Sequence, residues 1–442
     1  MTLPAKFVER VLRDLGGTEG AALCAALDAE PPVSVRLNPA KTGAETVSAG
    51  PDAGLPVPEA AGLPALAIAG RVPWSRDGRY LAVRPSFTLD PDFHAGAYYV
   101  QEASSQFVGH LLAAVRTEGA RILDLCAAPG GKTTLYASLA GPDGLVVANE
   151  IDRRRASVLA DNVRKWGTGN VAVTTCEPRA LGDFEAWFDV VAVDAPCSGE
   201  GMFRKDPDAR GEWSEGNVKQ CAARQDEILR EAWRALKPGG TLVYSTCTFN
   251  RDEDEGALER MAAWAGDEIA ESEETAVEDA WGIVCGRVGA FRTFRFYPHR
   301  TCGEGFFAAV ARKSFDAGGR VRTPKARRTV FAAVDRKTAG ELARWVRNPG
   351  GMHFAAVADT CYAWYAAQAD AVRTLSEALP VIYSGVALGQ VFKGVLKPDP
   401  ALAFFDGLNR GALPAAELDD EETLRFLRRQ DIAAGEIGRA HV

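Results

Sequence analysis

Two cysteines are the residues of this sequence best placed for covalent chemistry. Cys197 follows the apolar run FDVVAVD through Asp194-Ala195-Pro196, and Cys247 ends the run GTLVYSTC. The carboxyl ends of parallel strands border the crevice where open sheets bind ligands, so the two thiols would be neighbours if their strands are. A free cysteine is most often a buried structural residue. Two of them at strand ends, one directly after Asp194-Ala195-Pro196, favour a functional pair.

The chemistry that suits such a pair is methylation of a pyrimidine ring at carbon 5. Carbon 5 of cytosine is a weak nucleophile until a thiolate adds at carbon 6, and later steps need acid–base help. Asp194 could bind the amino and ring-nitrogen edge of the base. An enzyme that methylates amino groups would instead carry Asp/Asn-Pro-Pro-aromatic where this chain has Asp194-Ala195-Pro196-Cys197.

A glycine-containing turn, Leu123 through Thr134, is the candidate cofactor site. A strand ends there, small residues turn, and a helix begins, so that backbone N–H groups can approach a ligand closely. A phosphate-binding P-loop is the rival interpretation, but that motif requires glycine at the position of Cys126. Glu150, which ends the second strand, could accept both ribose hydroxyls of a nucleoside, although a solvated carboxylate is the plain alternative.

The elements that would position these residues alternate along the chain. Strand-like runs (RILDLC, GLVVANE, NVAVTTC, FDVVAVD, GTLVYSTC) are separated by helical stretches at 132–140, 153–166 and 220–236, which is typical of a doubly wound α/β sheet. A run at 305–311 is expected to close it. A small α+β module with a Pro/Gly-rich middle (50–64) precedes the sheet, and a basic linker (320–328) and short strands follow it.

Composition narrows the class of protein. A 47% hydrophobic and 25% charged chain without an apolar run of membrane-spanning length is expected to fold in the cytoplasm. Nine scattered cysteines without zinc spacing predict neither a disulfide framework nor a structural metal. A net charge of −8 leaves a nucleic-acid partner open, because basic stretches such as Arg153-Arg154-Arg155 can form a positive surface while the acidic segment 252–279 faces away.

These features resemble the Sun-domain (NOL/NOP/Sun) family of RNA cytosine-5 methyltransferases. The likeness spans roughly residues 30–313 and rests on several short motifs: Arg36-Leu37-Asn38-Pro39, Tyr99 through Ser105, CAAPGGKT, Asp194 through Gly201, Ser245 through Thr248, Pro298-His299-Arg300 and Gly303 through Phe307.

The resemblance implies a role for each matching residue. Cys247 would be the nucleophile, and Cys197 would assist release of the product. S-adenosylmethionine would contact the turn, Glu150, Asp194 and the acid after the third strand. That acid is Glu177 here, where the family usually has Asp. Arg155 matches an arginine that follows the second strand in the family. The turn residues implied are Cys126, Ala127, Ala128, Pro129, Gly130, Gly131 and Lys132.

The segment from Gly385 to Gly394 is similar to the PUA-like RNA-binding module of the family's bacterial branch that acts on 16S ribosomal RNA. We therefore expect a Rossmann-like α/β methyltransferase domain at 91–315, an N-terminal RNA-binding-like α+β module at 1–90, and a linker with a PUA-like region at 316–442. The expected partner is RNA, either 16S ribosomal RNA or the 30S subunit, bound by a monomer. Transfer RNA methylation, an inactive ribosome-assembly factor and a DNA cytosine-5 enzyme remain alternatives, and the DNA enzyme would use Cys197 as its nucleophile.

Overall fold

The computed structural model describes residues 2–42, 66–412 and 416–432, so the Pro/Gly-rich segment 50–64 lies outside the described residues. The chain begins with two helices and a four-stranded antiparallel sheet in the order β2-β3-β1-β4. The elements are α1 (Ala5–Leu15), α2 (Gly17–Ala26), β1 (Val33–Leu37), β2 (Ile68–Arg71), β3 (Gly78–Leu81), α3 (Pro91–Ala95) and β4 (Tyr98–Val100). The last strand of this sheet therefore lies beyond residue 90, where the N-terminal module was expected to end.

The centre of the molecule is a large sheet whose five middle strands are parallel in the order β9-β8-β5-β6-β7. Its strands are β5 (Arg121–Asp124), β6 (Leu145–Asn149), β7 (Val171–Thr174), β8 (Phe188–Asp194) and β9 (Leu236–Thr246). The accompanying helices are α4 (Phe107–Leu112), α5 (Gly131–Ala140), α6 (Arg153–Trp166), α7 (Pro178–Gly182), α8 (Pro207–Glu212), α9 (Glu215–Ala235) and α10 (Glu255–Ala265).

Helices cover both faces of this sheet. Leu123 packs into one core with Ile228 of α9 and Leu258 of α10, whereas Ile122 packs into a second core with Leu159 of α6. Strands buried on both faces consist of nearly continuous apolar residues, which explains the uninterrupted runs in the sequence. The predicted doubly wound α/β architecture is confirmed.

The sheet does not end at the strand that was expected to close it. Antiparallel strands continue it beyond β9 in the order β13-β12-β11, and β10 pairs with the end of β13. These strands are β10 (Ile269–Ala270), β11 (Val284–Val288), β12 (Phe291–Phe296) and β13 (Phe306–Lys313). The run at 305–311 therefore forms an interior strand of a mixed sheet, because the β11–β12 hairpin precedes it in the chain and covers its far edge.

The C-terminal region forms a five-stranded antiparallel sheet and also lends one strand, β17, to the free edge of β7. Its elements are β14 (Ala332–Ala333), α11 (Arg336–Ala343), β15 (Met352–Val357), β16 (Thr360–Tyr365), α12 (Ala369–Ala378), β17 (Val381–Ser384), β18 (Val386–Phe392), β19 (Val395–Pro398), α13 (Pro400–Phe404) and α14 (Asp420–Leu427). The chain passes between the two sheets at Gly385, which has φ +61° and lies so close to the Ala363 carbonyl that a Cβ would be 2.4 Å from it. The short strands predicted in this segment thus form in two different sheets.

Candidate functional site

The two cysteines meet at the carboxyl edge of the central sheet. Strands β8 and β9 are parallel neighbours in a register that sets Asp194 opposite Ser245. The Ser245 hydroxyl donates a hydrogen bond of 2.8 Å to Asp194 Oδ1. Beyond this pair the chain turns into two loops, and the Sγ atoms of Cys197 and Cys247 lie 3.3 Å apart. The spatial pairing that the sequence predicted is present.

The loops that carry the cysteines are tied to each other. The Gly201 amide donates to the Cys247 carbonyl at 2.8 Å, and the hydroxyls of Ser198 and Thr248 are 3.0 Å apart in the interior. A Cβ at Gly201 would lie 2.6 Å from the Gly305 carbonyl oxygen and 2.7 Å from that of Cys247. The glycine is required here for close backbone approach, and the approach fixes the position of Cys247.

The surroundings of the two sulfurs differ in charge. The pKa of Cys197 is raised, first by its hydrogen bond with Cys247 and then by burial. Lys132 Nζ lies 2.9 Å from Asp194 Oδ2. Burial opposes the charge of Lys132, but Asp194 and other negative groups, Cys247 among them, outweigh it and raise the lysine pKa. A stable ammonium group therefore interacts electrostatically with Cys247.

The glycine turn is held by three side chains from two elements, α6 and β1. Arg155 of α6 donates to the Ala128 carbonyl at 3.0 Å, Asn162 donates to the Pro129 carbonyl at 2.8 Å, and Arg36 of β1 donates to the Gly131 carbonyl at 3.1 Å. Gly130 has φ +111° and caps α5. The turn lies next to Cys247, because Lys132 at its end interacts with that cysteine. Side chains of α6 and β1 fix the shape of its backbone.

Glu150 is a buried carboxylate at the end of β6. Its Oε1 accepts from the Asp152 amide at 3.1 Å, and Arg155 Nη1 is 3.5 Å from Oε2. The structure therefore brings Glu150, Arg155 and the turn together. Glu177 lies at the carboxyl end of the neighbouring strand β7, exposed, and its side chain has no hydrogen bond or ion pair among the described residues.

Asp124 ends β5, and Cys126 follows it at the start of the turn. Burial raises the pKa of Cys126, with the carboxylate of Asp194 as the next cause. Burial also raises the pKa of Asp124 to about 7, and the Thr133 hydroxyl donates to its Oδ2 at 2.6 Å. Neither group is placed to act as a nucleophile, because a thiol with a raised pKa stays protonated.

Two buried acids beside the cysteines were missed by the sequence analysis. The acidic segment beginning at Asp252 was expected to face away from the site, but Glu253 and Asp254 are both 0% exposed. Glu253 Oε2 accepts from the Ser198 amide at 2.9 Å, and Asp254 pairs with Arg295 at 3.0 Å. The available signal was their position, six and seven residues after Cys247 in a loop that must return along the same sheet edge.

The remaining family-like motifs join the N-terminal region to the site. Arg36 is 2% exposed, donates to Gln101 Oε1 at 2.7 Å and stacks on Trp166 with 4.4 Å between its Cζ and the ring centroid. Helix α1 packs Phe7 against Phe203, whose ring centroid is 5.0 Å away in the segment that follows Cys197. The N-terminal region therefore packs against the loop that follows Cys197.

Comparisons with known proteins show that the chain is similar to ribosomal RNA methyltransferases. Residues 111–312 match the family described as 16S rRNA methyltransferase RsmB/F, and residues 3–103 match the N-terminal domain of 16S rRNA methyltransferase RsmF. Ribosomal RNA small subunit methyltransferase F of Shewanella loihica is 36% identical over 282 residues, covering 61% of this chain and 57% of that protein. The protein of the same name from Escherichia coli O81 is 35% identical over 291 residues, covering 63% and 59%. The chain thus spans less than two thirds of the length of these relatives.

Solved structures show the same fold. A methyltransferase homolog protein from Pyrococcus horikoshii aligns with a TM-score of 0.54 and 26% identity, covering 70% of this chain and 100% of that one. NSun6 from Pyrococcus horikoshii, determined with SFG, aligns with a TM-score of 0.57 and 20% identity, covering 70% and 98%. Within the described ranges no helix is long and apolar enough to cross a membrane, and no three His, Cys, Asp or Glu side chains are grouped as a metal site.

Proposed function

We infer that the chain is a member of the family described as 16S rRNA methyltransferase RsmB/F, and we propose that it methylates carbon 5 of a cytosine in RNA with S-adenosylmethionine as the methyl donor. The observation that carries the proposal is the 3.3 Å separation of the Cys197 and Cys247 sulfurs at the carboxyl edge of the sheet, beside the glycine turn. One thiol is enough to activate the ring, and the second suits the release of the product.

The donor groups around the turn fit S-adenosylmethionine. The buried carboxylate of Glu150 suits two ribose hydroxyls. The backbone from Cys126 to Lys132 contains two glycines, Gly130 and Gly131, where a ligand can approach the main chain closely. We assign Arg155 to orienting Glu150, Asp194 to the cofactor and base edge, and Glu177 to the adenine amino group. When bound, S-adenosylmethionine supplies an electrophilic methyl group.

Cys247 is the nucleophile in this proposal. The Cys247 thiolate bonds to carbon 6 of the cytosine, with the Lys132 ammonium group nearby, and the electrons of the carbon 5–carbon 6 double bond shift towards carbon 5. Asp194 binds the amino and ring-nitrogen edge and keeps the ring in place. Carbon 5 is then nucleophilic enough to be methylated.

Cys197 assists release. The carbon 5 proton leaves to a base, its bonding pair restores the ring double bond, and the pair of the sulfur–carbon 6 bond returns to Cys247. The Cys197 sulfur, 3.3 Å away, can hydrogen-bond the departing sulfur. Without this partner the enzyme–RNA adduct should persist.

Paired cysteine variants test the assignment. Cys247→Ala is expected to abolish both methyl transfer and the covalent RNA adduct, whereas Cys197→Ala is expected to form the adduct and retain it on denaturing gels. Cys285→Ala, at an exposed cysteine of β11, is the control and should behave as the parent. Turnover by Cys247→Ala, together with no adduct in Cys197→Ala, would reverse the two roles.

We propose 16S ribosomal RNA, free or in the 30S subunit, as the substrate of a cytoplasmic monomeric enzyme. The relatives' names support this choice. We also propose the division into 1–90, 91–315 and 316–442, in which β4 of the second part completes the sheet of the first and the PUA-like last region binds RNA. Its β18–β19 hairpin supports that role, because Phe392 is 71% exposed beside Lys393. Bisulfite sequencing of ribosomal and transfer RNA from a strain lacking the protein tests the substrate, since loss of a transfer RNA mark alone would refute it.

A further inference from the structure

We propose that Glu253 and Gln225 form a buried clamp on the loop of Cys197, and that the Glu253 carboxylate holds Cys197 as a neutral thiol so that Cys247 serves as the nucleophile. The inference rests on the proposed function and gives both residues a positioning role. It explains how two sulfurs in contact can take different parts in one reaction.

The clamp holds the peptide groups on both sides of Cys197. Gln225 Nε2 donates to the Pro196 carbonyl at 3.0 Å and to Glu253 Oε2 at 3.1 Å. The same carboxylate oxygen accepts from the Ser198 amide at 2.9 Å. Gln225 and Glu253 are both 0% exposed. The backbone that carries Cys197 is thus fixed through a single carboxylate oxygen.

Rigid elements hold the clamp in place. Gln225 lies in the middle of α9, and the Tyr244 hydroxyl of β9 donates to the Glu253 carbonyl at 2.6 Å. The second side-chain oxygens, Gln225 Oε1 and Glu253 Oε1, are buried with no hydrogen-bond partner among the described residues. Unsatisfied buried oxygens reduce stability, so their presence beside two reactive sulfurs indicates a functional constraint.

The charges around the sulfur pair point the same way. Cys247, burial and then Glu253 disfavour ionisation of Cys197 and raise its pKa, and the Gly199 amide opposes them. The titratable groups around this pair include Tyr244 of β9, Cys221 of α9, Asp254 and Glu200, which are neutral or negative. The nearby cations Arg260, Arg224 and Lys132 interact with Tyr244, Cys221 and Cys247, respectively.

A neutral Cys197 can therefore donate its S–H to a Cys247 thiolate across the 3.3 Å contact. Burial raises the pKa of Glu253 to about 7, so its charge is largely present at the alkaline pH where thiolates form.

Alkylation of Cys197 measures its ionisation without RNA or S-adenosylmethionine, so failure of this inference is distinguishable from failure of the proposed function. In a Cys247→Ser background, iodoacetamide labelling at pH 8.5 is followed peptide by peptide by mass spectrometry. Glu253→Gln keeps an oxygen acceptor but removes the charge, and Cys197 should then react about tenfold faster, as when a neighbouring like charge is lost.

Asp252→Asn is the matched control, because it removes an exposed acid one residue away and should leave the rate unchanged. Equal labelling rates in Glu253→Gln and its parent would overturn the charge argument.

A second variant tests the clamp with both cysteines intact. Gln225→Met keeps the carboxylate but removes the donor that holds Pro196, so we expect kcat to fall about tenfold while KM for RNA is unchanged, with the covalent adduct accumulating. An unchanged kcat in Gln225→Met would show that the clamp does not position Cys197.

Discussion

Replacing Gly201 by alanine should impair catalysis by moving Cys247. Gly201 donates its amide to the Cys247 carbonyl, and a Cβ at this position would lie 2.6 Å from the Gly305 carbonyl oxygen and 2.7 Å from the Cys247 carbonyl oxygen. Cβ contacts under 3.0 Å are essentially never observed, so these backbones must separate by at least about 0.4 Å. Both are backbone atoms on opposite sides of the loop, so no flexible side chain can absorb the shift.

The size of the effect follows from this displacement. A misplacement of about 1 Å at a reacting group costs roughly 10²-fold in rate, so a shift of about half that size should lower kcat about tenfold. Overpacking of a buried site costs about 1–3 kcal/mol of unfolding free energy. We expect the rate of adduct formation to fall with kcat, because the displaced atom belongs to the nucleophile.

Single-turnover methyl transfer and urea unfolding, run together, separate these two effects. Gly216→Ala is the control, since its nearest neighbouring atom is 3.8 Å away and it lies in the first turn of helix α9, so adduct formation and stability should stay close to those of the parent. A Gly201→Ala enzyme with adduct formation within twofold of the parent would show that the contact does not set the position of Cys247.

Two further predictions concern buried carboxylates. Glu150→Gln should weaken S-adenosylmethionine binding about tenfold in calorimetry, because an amide is a poorer partner for two ribose hydroxyls than a charged acceptor; unchanged affinity would remove Glu150 from the cofactor site. Asp124, whose pKa burial raises to about 7, favours folding in its protonated form, and this contribution is lost as pH rises from about 4 through 7. Urea unfolding should therefore show Asp124→Asn gaining stability relative to the parent between pH 5 and pH 8, and a pH-independent difference would contradict the buried-acid assignment.

Much of the fold could be predicted because the sequence shows directly the spacing of apolar residues and the length of each apolar run. The runs that became β5 to β9 are apolar throughout, as strands covered on both faces must be, and the helices between them are correctly placed. The pairing of β17 with β7 could not be predicted, since Val381–Ser384 carries no mark of its partner and the register depends on an edge made by distant residues. The same holds for the β11–β12 hairpin beyond β13.

The sequence by itself determined which groups meet at the carboxyl edge of the sheet: two cysteines after neighbouring strands, a glycine turn and an acid at the end of the second strand. Only the tertiary structure decided how the cysteines differ. In the sequence, Glu253 looks like a member of an acidic surface segment. In the structure its loop returns to the loop of Cys197, and Glu253 is buried there. Charge on a titratable side chain depends on burial and on neighbours distant in the chain, and neither is encoded by local spacing.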